Sequence, residues 1–409
     1  MLSFILRLIM KLISSFGLLK LKMTPFLFLL AVLVSLSPLF ISFVSIPGNV
    51  FFILALSCIL MLNHDFHFDK KVMILVLFIV FSSILLGLVW QNAKLVTISI
   101  YCTLSLIVAK VICERHLSDT VELLTFSLLV ISLLSWGGFI YALNGGKSIL
   151  EVINPDGRHG FLYLTTMTNY KVGNLIRPSG FFDEPGALSF FICVTAYLRD
   201  SLSKNQKITY ILLALGAVTF SLAHFIFIFL FFFSSNRILL KNKLYVLLAA
   251  ILVGFLTLPY LYKTEAFDTF IMSRVEVNQD GSISGDNRSE RVTNALNLID
   301  AYPRTLLFGL DEKCISGDRL CSSLYPPYGE NFLFPLVHYG ILNSFYYYFV
   351  IGGLLITAIY RRDGRLNLIN LAVVALLLQR PYAYSYGYSL VIAVCFLVGV
   401  WGYEKKRYK

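Results

Sequence analysis

Runs of apolar residues long enough to cross a bilayer as a helix, roughly 18–20 residues, recur along the whole chain and constrain its fold more than any other feature. The candidate spans lie at about 24–45, 49–63, 72–90, 95–113, 121–142, 181–198, 207–221, 222–236, 244–263, 338–360, 366–380 and 384–402. Composition agrees: 57% of the 409 residues are hydrophobic and 14% are charged, against about 25% charged in soluble domains. This excludes a water-soluble enzyme, a disordered chain and a nucleic-acid-binding domain. The expected fold is an all-α polytopic membrane protein of about 12 transmembrane helices, forming a single integral membrane domain over 1–409.

The formal net charge of +11 is mostly carried by short loops between the spans, the pattern of the positive-inside rule. Arg7, Lys11, Lys20 and Lys22, then Lys70 and Lys71, Arg115, Arg199, Lys204 and Lys207 fall on one side. Arg237, Lys241, Lys243, Arg361, Arg362, Arg365 and the basic C-terminal residues fall on the same side. Both termini are then cytoplasmic. Residues 1–22 lack a small-residue cleavage site and read as an in-plane amphipathic helix. The run 207–236 is one apolar stretch interrupted by Ser221 and His224. As a tight hairpin it preserves the charge bias, and as one helix it reverses every later loop. His224 then marks a bend.

Two segments remain outside, 143–183 and 264–330, and they are the only stretches long enough to build a site. Cys314 and Cys321 lie in the second and are candidates for a local disulfide if that side is oxidising. Cys58, Cys102, Cys113, Cys193 and Cys395 fall in or beside apolar spans and act as small hydrophobes. The sequence shows no metal-ligand set, glycine-rich phosphate loop, nucleotide fingerprint or internal repeat, so no cofactor is expected.

The first outer segment ends in Arg177-Pro-Ser-Gly-Phe-Phe-Asp-Glu-Pro-Gly186. Asp183 reads as a helix N-cap, with Glu184 and Pro185 in the first turn. Two readings are open: a capped helix whose interfacial Arg177 pairs with Glu184, or a cationic corner that holds an anion at a helix N-terminus. The pattern Arg-x-x-Gly-x-Phe-x-Glu-Pro resembles the first outer-loop signature of the Wzy-type O-antigen polymerases, in the O-antigen polymerase and ligase superfamily.

In the second segment, Asp286 to Asp300 reads as an amphipathic helix with the stripe Val292, Ala295, Leu296 and Ile299. Arg288 and Arg291, three apart, share a face. They are neutralised by Asp286 and Glu290 or hold an anion between them. The helix followed by Pro303-Arg-Thr-Leu-Leu-Phe-Gly309 resembles the same family's second outer loop. Next come Tyr328-Gly-Glu-Asn-Phe-Leu and His338. Ligases of the superfamily usually carry His-Asn where this chain has Glu330-Asn331, which favours the polymerase. The resemblance covers about a third of the chain.

It implies a C-type glycosyltransferase-like architecture at the periplasmic face of the cell inner membrane, independent of metal and nucleotide. The implied substrate is an undecaprenyl-pyrophosphate-linked oligosaccharide held in membrane lipid, with a chain-length regulator protein as partner. Arg177, Arg288 and Arg291 would stabilise charge on the leaving pyrophosphate, Glu330 would accept the proton of the attacking hydroxyl, and His338 is the second choice of base. Glu184 and Asn331 would bind substrate. Arg380-Pro-Tyr-Ala-Tyr-Ser-Tyr-Gly-Tyr388 reads either as an aromatic belt or as a sugar platform of Tyr382 and Tyr384 with Arg380 on phosphate. The competing functions are an O-antigen ligase and, from another class, a lipid-linked oligosaccharide flippase. The few charges inside the spans argue against the flippase.

Overall fold

The computed structural model describes residues 22–44, 46–66, 69–91, 93–153, 159–234, 287–310, 331–360 and 367–401, together with Lys241, Lys243, Tyr245 and Leu248. The expected in-plane segment up to residue 21, nearly all of the span at 244–263, most of the second outer segment and the C-terminal basic residues lie outside the described residues. The chain is mostly helical. Among the described residues, three helices are long and apolar enough to cross a membrane: Lys70–Val89, Leu95–Leu143 and Phe334–Ile359.

The first helices are α1 (Met23–Leu33), α2 (Pro38–Val44), α3 (Gly48–Leu62), α4 (Lys70–Val89) and α5 (Ala93–Val111). A π-helical turn at Ile112–His116 leads into α6 (Leu117–Leu143). Strands β1 (Leu150–Ile153), β2 (His159–Tyr163), β3 (Thr166–Thr168), β4 (Lys171–Val172) and β5 (Leu175–Ile176) follow. The remaining helices are α7 (Pro185–Ser201), α8 (Gln206–Gly216), α9 (Leu222–Ser234), α10 (Asn287–Ala301), α11 (Arg304–Phe308), α12 (Phe334–Ile359), α13 (Leu368–Gln379) and α14 (Tyr388–Trp401).

The span expected at 24–45 is broken, because Pro38 cannot continue the hydrogen bonding of α1 and instead opens α2. Helical bonding is continuous from α5 through α6, yet the chain reverses between them. Ser105 meets Ser389 at 2.7 Å, and the Cys102 and Cys113 thiols donate to the Ala383 and Val394 carbonyls, so α5 runs parallel to α14. Phe190 stacks near Tyr388 at the start of α14, and Gly399 at its other end abuts the Tyr197 hydroxyl, so α14 runs parallel to α7. Gly180, just before α7, abuts Ile131 and Ser135, whereas Arg199 near its end reaches Thr125, so α7 runs antiparallel to α6. His116, with φ −131° and ψ 4°, is where α5 and α6 part direction.

The run 207–236 is the hairpin. Phe220, with φ 48°, turns the chain. Tyr210 packs on Phe231 at 5.9 Å, and His224 Nε2 lies 2.8 Å from the Leu213 carbonyl. His224 is therefore a fastener of the hairpin, with Cys193 Sγ 3.3 Å from its other ring nitrogen.

Helix α7 is the hub. Every residue from Pro185 to Arg199 is buried, as expected of a helix surrounded by others. Ion pairs collect at the bundle end where α7 finishes. Arg199, 1% exposed, pairs with Glu122, which also holds Lys204. Lys22 pairs with Asp119, Arg115 with Asp65, and buried Lys110 with Asp69 and Glu114.

At the opposite end, a few short strands join the mostly helical fold. Residues 150–168 form a three-stranded antiparallel sheet in the order β1-β2-β3, and β4 pairs with β5. Thr, Tyr, Val and Ile favour extended backbone. A bridge between Met167 and Gly180 ties this sheet to the approach of α7.

Candidate functional site

The β-sheet end of the bundle carries Arg177, Glu184 and Arg380 among the residues selected from sequence. Glu184, rather than Asp183, is the N-cap of α7, and its side chain makes no capping bond. Its carboxylate instead pairs with Arg380, just past the end of α13. Both side chains are largely buried, at 15% and 14% exposed. The Arg380 guanidinium also lies 5.6 Å from the Tyr382 ring. Burial opposes the charge on Arg380, but the Glu184 carboxylate together with Tyr388 and Tyr382 outweighs it and the pKa is raised. Gly186 makes the approach possible, because a Cβ there would overlap the guanidinium. The expected Arg177–Glu184 pair is thus replaced by Glu184–Arg380.

Arg177 has a different task. Its Nε and Nη2 donate to the carbonyls of Thr219 and Phe220 at 3.3 and 3.1 Å, and its guanidinium lies 5.8 Å from the Tyr170 ring. It pins the α8–α9 turn to the end of the first outer loop.

The described part of the second outer segment folds as α10 and α11. Arg288 and Arg291 both fall in the first turns of α10. The buried face of this helix is Ala295 and Leu298, with Ile299 packed beside them. Leu296, expected in the stripe, is 49% exposed. The face keeps Val292, Ala295 and Ile299 of the expected stripe and takes Leu298 in place of Leu296. Asn331 is buried, donates to the Arg291 carbonyl at 3.3 Å and accepts from the Leu333 amide at 2.8 Å. It fixes α10 to the start of α12. The His338 ring packs at a tilt on Phe334 and edge-on to Tyr339, with ring centroids at 5.0 and 4.2 Å. Glu330, Cys314 and Cys321 lie outside the described residues.

Tyr384 is 6% exposed. Its ring packs on Tyr339 at 4.9 Å and its hydroxyl accepts from the Tyr347 amide. Tyr384 is thus enclosed by its neighbours in this arrangement. Tyr382 is partly buried against Tyr388, with ring centroids 5.1 Å apart.

A cavity of about 710 Å³ opens among these elements. Leu222, Ala223 and Ile226 of α9 and Ala375, Leu376 and Leu378 of α13 form its apolar wall. Ser289, Thr293, Asn331 and Gln379 supply its polar rim. Ser289 lies between Arg288 and Arg291 on α10, Gln379 immediately precedes Arg380, and α9 begins at the turn that Arg177 holds. The cavity is therefore lined by the helix that carries Arg288 and Arg291, by the helix that ends one residue before Arg380, and by the helix that starts at the turn bonded by Arg177. Sequence reasoning missed α9 and Gln379 as lining. Gln379 left a signal, as a lone amide closing an apolar run.

No protein-family model, curated protein or solved structure matches this chain.

Proposed function

We propose that the chain is a polymerase of the O-antigen type. It joins undecaprenyl-pyrophosphate-linked repeat units at the periplasmic face of the inner membrane. The observation that carries this reading is the cavity, whose apolar helical wall suits a lipid chain and whose polar rim includes Ser289, on the helix that carries Arg288 and Arg291, and Gln379, the residue before Arg380. A substrate with a hydrocarbon tail, a diphosphate and a sugar needs these features in that order.

In the reaction, a hydroxyl of the acceptor unit attacks the anomeric carbon of the donor chain. The new C–O bond forms as the bond to diphosphate breaks, and the electron pair leaves on the diphosphate oxygen. Arginine suits that developing charge because it stays protonated and offers a planar fork of donors. In this reading Arg288 and Arg291 bind the diphosphate. Arg177 contributes through the α8–α9 turn, and Arg380 is oriented by Glu184. Glu330 takes the proton of the attacking hydroxyl, with His338 as the alternative base. The reading also holds the finer topology: about 12 spans in a C-type glycosyltransferase-like arrangement, with both termini cytoplasmic. A chain-length regulator is the proposed partner.

The test is to incubate the purified protein with its lipid-linked repeat and resolve the products by size. Longer chains from the wild type, and their loss in Arg291→Ala, are expected. Transfer only to lipid A core would make it a ligase, and translocation without new bonds would make it a flippase.

A further inference from the structure

The first outer loop does not rest above the helix ends. The turn between β2 and β3 reaches down the side of α6. Thr165 Oγ1 donates to the Leu134 carbonyl at 2.5 Å. Thr166 Oγ1 lies 3.4 Å from Ser135 Oγ. A Cβ added to Gly138 would meet Thr166 Cγ2 at 2.5 Å and the Tyr163 carbonyl at 2.6 Å, so this glycine is the notch that admits the turn. Leu134 precedes the end of α6 at Leu143 by nine residues, about 13 Å at the helical rise of about 1.5 Å per residue.

The surface around the turn is apolar on both sides. Val130 on α6, one turn before Leu134, is 40% exposed, and Ile140 and Leu143, beyond it toward the loop end, are 53% and 45% exposed. The last acidic residue of α6 is Glu122, and the helix belongs to a stretch long and apolar enough to cross a membrane. At the apex of the turn, Leu164 is 51% exposed and takes a left-handed φ of 51°, which directs a large apolar side chain outward at this depth. A β-branched or bulky residue in that backbone region is uncommon and is held by its surroundings.

We infer that the β2–β3 turn is a re-entrant element seated among lipid acyl chains, with Leu164 as its contact residue. Backbone at this depth must be paired within the protein. The β2–β3 ladder and the bond from the Thr165 amide to the Tyr163 carbonyl pair the backbone of the turn, and the Thr165 and Thr166 hydroxyls are satisfied at Leu134 and Ser135. The partner of this surface is the hydrocarbon of the bilayer. The inference holds whether or not the chain is a polymerase.

The test replaces Leu164 with the photocrosslinking residue p-benzoylphenylalanine in the full chain. The protein is irradiated in phospholipid nanodiscs and its intact mass measured. The same replacement at Ile84, exposed on α4 five residues before its end, serves as the lipid-facing control. A phospholipid adduct at both positions is the expected result. An adduct at Ile84 but none at Leu164 overturns the inference. So does a Leu164 crosslink only to the chain itself. As a second measurement, a charged, water-soluble maleimide should label Leu164→Cys at least tenfold more slowly than Ser148→Cys in the same loop. Equal rates place the turn in water and overturn the inference.

Discussion

Gly309 and Gly340 meet backbone to backbone, closing the second outer segment onto α12. A Cβ on Gly309 would meet the Gly340 amide at 2.9 Å, and one on Gly340 would overlap the Leu307 carbonyl. Both glycines have left-handed φ, 75° and 62°, and Gly340 interrupts the helical geometry of α12. The Leu310 amide donates to the Val337 carbonyl, and the Trp90 indole N–H donates to the Phe308 carbonyl, so α4 joins the same clasp.

Gly340→Ala should therefore open this clasp. Overpacking and a left-handed alanine together are expected to destabilise by about 3 kcal/mol. Gly352→Ala, where nothing lies within 4 Å of the added atom, should be neutral or stabilising by about 0.5 kcal/mol. Thermal melts of the two detergent-solubilised variants provide the comparison.

The Glu184–Arg380 pair predicts strong coupling. Removing either side chain strands a buried charge, so Glu184→Ala and Arg380→Ala should each be destabilising by about 3 kcal/mol. The double variant should be no worse than either single one. Additive losses in a double-mutant cycle would show that the two side chains act separately. Gly186→Ala should disturb the same pair from the other side.

At the opposite end, Arg199→Ala should cost about 3 kcal/mol, because this 1% exposed guanidinium serves Glu122, Thr125, Thr209 and the Asn205 carbonyl together. Lys22→Ala removes a pair whose side chains are 59% and 42% exposed and should change stability by under about 1 kcal/mol. Similar melting shifts in the two variants would show that burial is not what makes the Arg199 network matter.

Asp69 gives a pH prediction. It caps α4 through the Lys71 amide and lies beside Lys110, and these contacts, the amide first, hold its carboxyl below the ordinary carboxylate pKa. A depressed carboxyl stabilises the fold above its unfolded pKa of about 3.9. That contribution fades as pH falls through the lower folded value. Melting temperature measured from neutral to acid pH should fall less steeply below about pH 4 in Asp69→Asn, which should begin from a lower neutral-pH value.

Hydropathy alone determined where most helices form, because a run of apolar side chains has to shed its backbone polarity into internal hydrogen bonds wherever water is excluded. It also determined which loops carry the arginines, and the charge pattern chose the hairpin at 207–236. Proline and glycine positions left readable marks at Pro185 and Gly309. Local sequence did not determine partners. Glu184 bonds Arg380, 196 positions away, and not the nearby Arg177, because the packing of α7 against α13 brings that guanidinium to the helix start. Tyr384 looks interfacial in sequence and is buried, since neighbouring helices close over it. The depth of the β2–β3 turn, the kink at Gly340 and the choice of Leu298 over Leu296 were likewise decided by tertiary contacts. Periodicity sets which residues share a face, and only the assembled neighbours set which face is covered.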